Sequence, residues 1–242
     1  MPRYDQHFLR SEKFARQIAD AVCPLPEETI LEVGPGRGAL TKYLLQKPHS
    51  YIGIEIDKRW IDELTSTYTA AHVQWIIGDF LTTPLPERPL YFVSNLPYSI
   101  SGPALFRILE HHPWIRAGVV MLQAEVAQRL YAPEGKRPYG KLSVLFRSIF
   151  EVKRLLRLPP GAFSPPPKVW SEVVMFIRAP RISPQEWNSF AQVVKAAFRQ
   201  PRQTVAKNLR ESGYDVPQVL QSMRPHQLTI EEFIRLWIML RS

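Results

Sequence analysis

Short apolar runs alternate with stretches of helical spacing across residues 29 to 94, and no other feature of the chain restricts its fold so tightly. Thr29 to Val33, Tyr51 to Ile56, Val73 to Ile77 and Leu90 to Ser94 read as strands, with Ala39 to Leu45 and Lys58 to Tyr68 as helices among them. Strands alternating with helices predict a parallel sheet within a three-layer α/β domain. Ligands of such sheets bind outside the carboxyl ends of the strands. The residues that close each apolar run are therefore where binding groups belong.

Upstream, Phe14, Ile18, Ala21 and Val22 mark a helix over Ser11 to Val22, with Ser11 placed to cap it. Downstream, helices are expected at Pro103 to His111 and Gln123 to Leu130, around a strand at Ala117 to Leu122. Leu142 to Ile149 fits helix or strand, and Glu172 to Arg178 is a late strand. The texture changes after Ala179-Pro180. Gln185 to Phe198, Thr204 to Glu211, Pro217 to Met223 and Ile230 to Leu240 all read as helices with no strand pattern between them. This divides the chain into a cofactor-binding domain at 1–180 and a small helical domain at 181–242.

Lysine and arginine outnumber acids 31 to 22, a formal net charge of +9. That excess favours a polyanionic partner, nucleic acid ahead of membrane. No apolar run reaches transmembrane length and Met1-Pro2-Arg3-Tyr4-Asp5 starts no signal region, so a cytoplasmic protein is expected. The single cysteine, Cys23, excludes an intramolecular disulfide framework and a multi-cysteine metal site. Its setting, Ala-Val-Cys-Pro-Leu, reads as a small core position.

The first strand runs into Val33-Gly34-Pro35-Gly36-Arg37-Gly38. Glycines at a strand-to-helix turn let the backbone approach a ligand and leave helix amides pointing at it. Glu55 closes the next strand, where an acid binds ribose hydroxyls in nucleotide folds. Gly34, Gly36 and Glu55 thus point to an adenosine-containing cofactor, without choosing between NAD and S-adenosylmethionine. Asp79 closes the third strand, placed to accept from an adenine amino group with Phe80 packed nearby; capping the following turn is its alternative role.

The fourth strand ends in Ser94-Asn95-Leu96-Pro97-Tyr98-Ser99-Ile100-Ser101. An exocyclic adenine amine is a poor nucleophile because its lone pair is delocalised into the ring. Acceptance of its two hydrogens by the Asn95 side-chain oxygen and the Leu96 carbonyl would let the nitrogen pyramidalise towards a methyl donor. Pro97 fixes that geometry in advance, and Tyr98 offers a ring for a base taken out of its stack. In-line displacement at a methyl-sulfonium carbon needs no metal and no covalent enzyme intermediate. A turn-forming Asn95 and a core Tyr98 are the plainer alternative.

Asn95-Leu96-Pro97-Tyr98 resembles the Asn/Asp-Pro-Pro-Tyr-type motif of methyltransferases acting on planar amines. With Gln6-His7-Phe8-Leu9, Leu31 to Gly36, Ile54 to Asp57, Gly78-Asp79, Met121 to Val126, Tyr139 to Ser143 and Phe163 to Val169, the chain resembles the ribosomal RNA adenine dimethyltransferase family, small-subunit (KsgA) type. The resemblance implies a Rossmann-like S-adenosylmethionine-dependent methyltransferase sheet with helices on both faces, plus a small C-terminal all-helical domain. It implies S-adenosyl-L-methionine as cofactor and rRNA of a small ribosomal subunit or its precursor as partner, with no membrane and a monomeric enzyme. It further implies that Phe163 sandwiches the target base opposite Tyr98, a hydrophobic loop anchor being the alternative. His7 and Leu9 are implied to close over the cofactor, beside Asn95. His7 stands where the family often has Asn, and Trp170 departs from its Lys-Val-Asp-Ser pattern.

Arg199, Arg202, Lys207 and Arg210 form a basic face expected to bind RNA phosphates, with Lys136, Arg137 and Lys141 as a second basic segment expected near the pocket mouth. Two other functions compete with small-subunit adenine dimethylation. One is a large-subunit rRNA methyltransferase of the macrolide-resistance type, whose members usually carry Asn-Ile-Pro-Tyr. The other is a non-catalytic RNA-binding assembly factor, disfavoured by the intact Gly34, Glu55, Asp79, Asn95 and Tyr98.

Overall fold

The computed structural model describes residues 6–216 and 222–241. By contacts the chain divides into two compact units, residues 1–127 with 153–178, and residues 128–152 with 179–242. The change of texture in the sequence falls at 180. Residues 128–152 nonetheless group with the later helices.

In the first unit, β2 (Thr29–Val33), β3 (Tyr51–Glu55), β4 (Val73–Ile77), β5 (Leu90–Asn95) and β6 (Ile115–Gln123) form parallel neighbours. With β7 (Phe150–Leu158) and β9 (Ser171–Arg178) they make a seven-stranded sheet of order β4-β3-β2-β5-β6-β9-β7. The chain leaves β2 towards β3 and β4, then returns to β2's other side as β5. That reversal opens a crevice at the carboxyl ends of β2 and β5, where Val33 pairs with Ser94.

Continuous apolar runs form these strands because the sheet is covered on both faces. Ile30 of β2, Tyr91 and Val93 of β5, and Ala117, Val119 and Met121 of β6 pack in one cluster with Ala15 and Ile18 of α1 (Glu12–Asp20) and Leu44 of α2 (Thr41–Leu44). Leu31, Phe92 and Val120, pointing the other way, are equally buried. Phe92 lies between the rings of Phe80 and Phe176, at 5.6 and 6.4 Å. The helices α3 (Lys58–Thr67), α4 (Ser101–Glu110) and α5 (Ala124–Tyr131) follow β3, β5 and β6.

The sheet is mixed rather than wholly parallel, because β9 runs antiparallel to β6. Between β7 and β9 stand only a short 3₁₀ turn and β8 (Phe163–Ser164), so no crossover helix is present to make the return parallel. β7 itself escaped the pattern reading. As an edge strand it carries Lys153, Arg154 and Arg157 among its apolar residues, which breaks the buried-strand signature. β8 pairs with the two-residue β1 (Phe8–Leu9), Leu9 opposite Phe163. Cys23, read as a core position, is exposed just past α1, its thiol against the Asp20 carbonyl.

The second unit contains α6 (Lys141–Arg147), α7 (Trp187–Ala197), α8 (Val205–Arg210) and α9 (Ile230–Leu240). The ambiguous run at 142–149 is therefore mostly helical, its first turn closed by Ser143 Oγ accepting from the Gly140 N–H at 2.9 Å. Phe190 meets Trp237 edge-on at 5.9 Å and Phe198 stacks on Phe233 at 5.6 Å. The helix expected over Pro217 to Met223 lies, through residue 221, outside the described residues.

Candidate active site

A cleft of about 860 Å³, including its solvent-facing mouth, opens where β2, β3, β4 and β5 end. Its walls include Gly34 and Gly36 after β2, Glu55 and Ile56 at β3, Gly78, Asp79 and Phe80 after β4, and Asn95 to Ile100 after β5. The strand ends far apart in sequence converge because adjacent parallel strands finish at the same level.

Gly34, Gly36 and Gly38 have φ of +67, +51 and +74°, a region that an L side chain rarely adopts. A Cβ on Gly36 would stand 3.0 Å from the Phe8 ring. The loop is therefore bare backbone by necessity. Glu55 is buried beneath it, one carboxylate oxygen accepting from Gly36 N–H and the other from Asp57 N–H, both at 3.0 Å. Burial raises its pKa, and these backbone amides oppose the shift. An ionised carboxylate offers about four acceptor sites, so Glu55 can still accept from a ligand hydroxyl.

Asp79 caps the turn after β4, one carboxylate oxygen accepting from Leu81 N–H at 2.9 Å, and also faces the cleft. Phe80 is buried beside it. Ile56, missed by the sequence reading, is 41% exposed although apolar, a surface a flat ring would cover. Its position directly after the strand-closing acid was the available signal.

At the reacting end, the Asn95 side-chain N–H donates to the His7 carbonyl at 2.9 Å, which orients the amide and leaves Oδ1 as its accepting end. Leu96 is buried and donates its N–H to the Met121 carbonyl. Pro97, at φ −54° and ψ 136°, turns the chain into a 3₁₀ turn at Tyr98–Ile100, and its carbonyl is engaged by Ile100 N–H and Ser101 Oγ. Tyr98 is held by a 2.6 Å hydrogen bond between its hydroxyl and Ser171 Oγ of β9.

The N-terminal segment lies against the cleft, His7 and Phe8 both in its wall. His7 stands at the reacting end, its ring 5.1 Å from that of Tyr98 and its Nδ1 2.8 Å from the Pro165 carbonyl. Phe8, not chosen from the sequence, covers the glycine loop, with Arg37 stacked over it at 4.8 Å and over Trp60 at 5.2 Å. Leu9 lines a smaller adjoining cavity with Glu32, Gly34 and Asn95.

Phe163 corrects an expectation. It is 1% exposed, belongs to the core cluster with Leu9 and Val173, and is absent from the cleft wall. Its pairing with Leu9 in the β1–β8 ribbon anchors it inward, as the hydrophobic-anchor alternative requires.

The chain matches the family model for ribosomal RNA adenine dimethylase over residues 1–241. The chain belongs to that family. Curated relatives called "Ribosomal RNA small subunit methyltransferase A" include one from Porphyromonas gingivalis, 38% identical and covering 98% of this chain and 96% of its own. Another, from Xanthomonas campestris pv. campestris, is also 38% identical, covering 96% and 92%. Among solved structures, a dimethyladenosine transferase from Plasmodium falciparum superposes with a TM-score of 0.84 at 24% identity, covering 97% of this chain and 98% of that one. The 23S rRNA methyltransferase ErmE superposes at 0.73 with 25% identity, covering 97% and 100%.

Membership makes the chain an rRNA adenine methyltransferase dependent on S-adenosyl-L-methionine. The cleft fits that cofactor on three observations: a side-chain-free loop at Gly34 and Gly36, a buried carboxylate at Glu55, and the apolar wall of Ile56 and Phe80 beside Asp79.

The seven basic residues that the sequence reading set aside for RNA, Lys136, Arg137, Lys141, Arg199, Arg202, Lys207 and Arg210, all fall in the second unit and are all exposed. Lys136 and Arg137 occupy the loop before α6, and Lys141 begins that helix. Arg199 and Lys207 meet at Glu211, the former donating to its carbonyl at 3.0 Å, the latter 3.9 Å from its carboxylate. Arg202 lies in the α7–α8 connection and Arg210 ends α8.

Proposed function

We infer that the protein dimethylates the exocyclic amines of two adjacent adenosines near the 3' end of small-subunit (16S) rRNA during ribosome biogenesis. The observation that carries the chemistry is the Asn95 amide, oriented by the His7 carbonyl at the mouth of the Gly34–Glu55 cleft. S-adenosyl-L-methionine, when bound, supplies an electrophilic methyl group on a sulfonium.

The roles of the chain's own residues follow from their positions. Gly34 and Gly36 admit the cofactor against backbone, Glu55 accepts from ribose hydroxyls, and Asp79 with Phe80 and Ile56 receives the adenine. Asn95 Oδ1 and the Leu96 carbonyl accept the two hydrogens of the target amine. This localises the lone pair on nitrogen and aims it into the cleft. Pro97 and the Tyr98–Ser171 hydrogen bond hold these groups before substrate arrives, so little ordering is left for the reaction. Tyr98 provides the stacking ring. His7 links Asn95 to Pro165 and packs against the Tyr98 ring.

The second unit is read as the RNA-positioning part, through Lys136, Arg137, Lys141, Arg199, Arg202, Lys207 and Arg210. The partner is rRNA in a small ribosomal subunit or its precursor, met by a monomeric, cytoplasmic enzyme. No described helix is long and apolar enough to cross a membrane.

Incubation with labelled S-adenosylmethionine and unmethylated small subunits, large subunits or naked rRNA, followed by mapping of the modified adenines, tests this reading. Two adjacent dimethylated adenines in small-subunit RNA are expected. Label confined to large-subunit RNA would favour the macrolide-resistance type instead, and absence of label would leave only an assembly role.

A further inference from the structure

The departure of Trp170 from the family pattern has a structural setting of its own. Its indole is 44% exposed, and the Arg157 guanidinium lies 4.8 Å from the ring centre. Arg157 and Arg154 project from β7, one of the sheet's two edge strands, with side chains 53% and 54% exposed. Both guanidiniums approach the carboxylate of Glu172, at 4.0 and 3.8 Å, and that carboxylate is fully buried. Glu172 therefore gathers two cations beside the indole while showing no negative charge to solvent. Lys153, next to Arg154 in β7, and Lys168, two residues before Trp170, are exposed as well.

Charged residues on an edge strand commonly serve to prevent sheet-to-sheet association. That role does not call for an exposed indole among them. A large aromatic face, backed by a guanidinium and bordered by further cations, is instead the composition that binds single-stranded nucleic acid, bases on the ring and phosphates on the cations. A duplex offers no unstacked base to such a ring. Ser171, between Trp170 and Glu172 on the chain, holds the Tyr98 hydroxyl, so this surface is one residue removed from a group that orders the reacting end.

We propose that Trp170, Arg154 and Arg157, with Lys153 and Lys168, form a contact for an unpaired stretch of rRNA, one base stacking on Trp170 and neighbouring phosphates meeting the two arginines. The proposal rests on the reading that the protein acts on rRNA. It adds to the first unit an RNA surface distinct from the basic residues of the second.

The test compares wild type with Trp170→Ala, Trp170→Phe, Lys168→Gln, the double variant Arg154→Gln/Arg157→Gln and its charge-keeping counterpart Arg154→Lys/Arg157→Lys. Calorimetric binding of S-adenosylmethionine reports that each variant is folded. Trp170→Ala is expected to weaken binding to protein-free small-subunit rRNA, and to raise KM, about tenfold, within the range for loss of one stacked base. Saturated turnover should stay the same, and Trp170→Phe should recover most of the loss. The glutamine pair should lower the slope of log affinity against log salt by about 0.7 per phosphate contact removed, whereas the lysine pair should keep it. Because removing both arginines strips Glu172 of its cations, Trp170→Ala and Lys168→Gln carry the test should that variant not fold. Unchanged KM and salt slope in a folded set overturn the proposal, as does a Trp170 effect seen on intact subunits but not on protein-free RNA, which would assign the surface to a protein. Failure of wild type to methylate rRNA would instead sink the functional reading, so the two failures are separable.

Discussion

Replacing Glu32 with glutamine should remove a pH dependence that the fold builds in beneath the glycine loop. Glu32 is buried within β2, and one of its oxygens accepts from the Tyr51 hydroxyl at 2.6 Å and the Thr41 hydroxyl at 2.8 Å. Burial raises its pKa from 4.5 to about 7 despite those two donors, with the nearby Glu55 charge adding to the shift. A carboxyl whose pKa is higher folded than unfolded binds its proton more readily in the native state. Unfolding between these two values releases a proton, so its contribution to stability falls as pH rises from 4.5 to 7 and is constant beyond. A displacement from 4.5 to about 7 corresponds to a loss of about 3 kcal/mol across that window. His112, whose pKa is lowered by burial, works in the opposite direction, because its unfolded form takes up a proton as pH falls below 6.5. The difference between wild type and Glu32→Gln isolates the carboxyl, since glutamine keeps an oxygen for Tyr51 and Thr41. Urea unfolding at pH 5, 6, 7 and 8 should show the variant gaining on wild type by an amount that grows to about 3 kcal/mol near pH 8. Parallel curves for the two proteins would refute the argument that Glu32 is held protonated by burial.

Asn95→Ala should abolish methyl transfer while leaving rRNA affinity, measured by filter binding, within about twofold of wild type, a change of less than 0.5 kcal/mol; undiminished turnover would end the two-acceptor account. Gly36→Ala places a side chain at φ +51° and 3.0 Å from Phe8. Its affinity for S-adenosylmethionine should fall about tenfold by calorimetry. Tyr98→Phe keeps the ring and removes the hydroxyl bond to Ser171, so kcat/KM should drop by about tenfold or less, and the drop for Tyr98→Ala should be clearly larger. Phe163→Ala empties a fully buried core position and should cost about 3–5 kcal/mol in unfolding experiments. Phe163→Leu should keep methylation, which a base-stacking Phe163 would not allow.

Local pattern was enough to read much of the framework. β2, β4 and α9 begin and end where their apolar spacing placed them. The residues closing the parallel strands, Gly34, Glu55, Asp79 and Asn95, do line one cleft, because parallel neighbours of matched length must end together. The exposed Cys23 and the missed β7 show the limit of that reading. A residue's apolar neighbours in the chain say little about its burial at a helix end, and an edge strand need not carry an apolar stripe.

What only the tertiary structure decided depends on contacts between segments distant in sequence. The His7 carbonyl orients the amide of Asn95, 88 positions away, and the serine that fixes Tyr98 lies 73 positions on. Phe163 is drawn into the core by its pairing with Leu9, and the cations around Trp170 come from another strand gathered by a buried acid. The sequence alone determined the kind of chemistry, since an amide, a stiff turn and a ring at one strand end follow from neighbouring residues. Which side chains stand around that turn was decided by packing, because long-range hydrogen bonds and burial leave no mark on local periodicity.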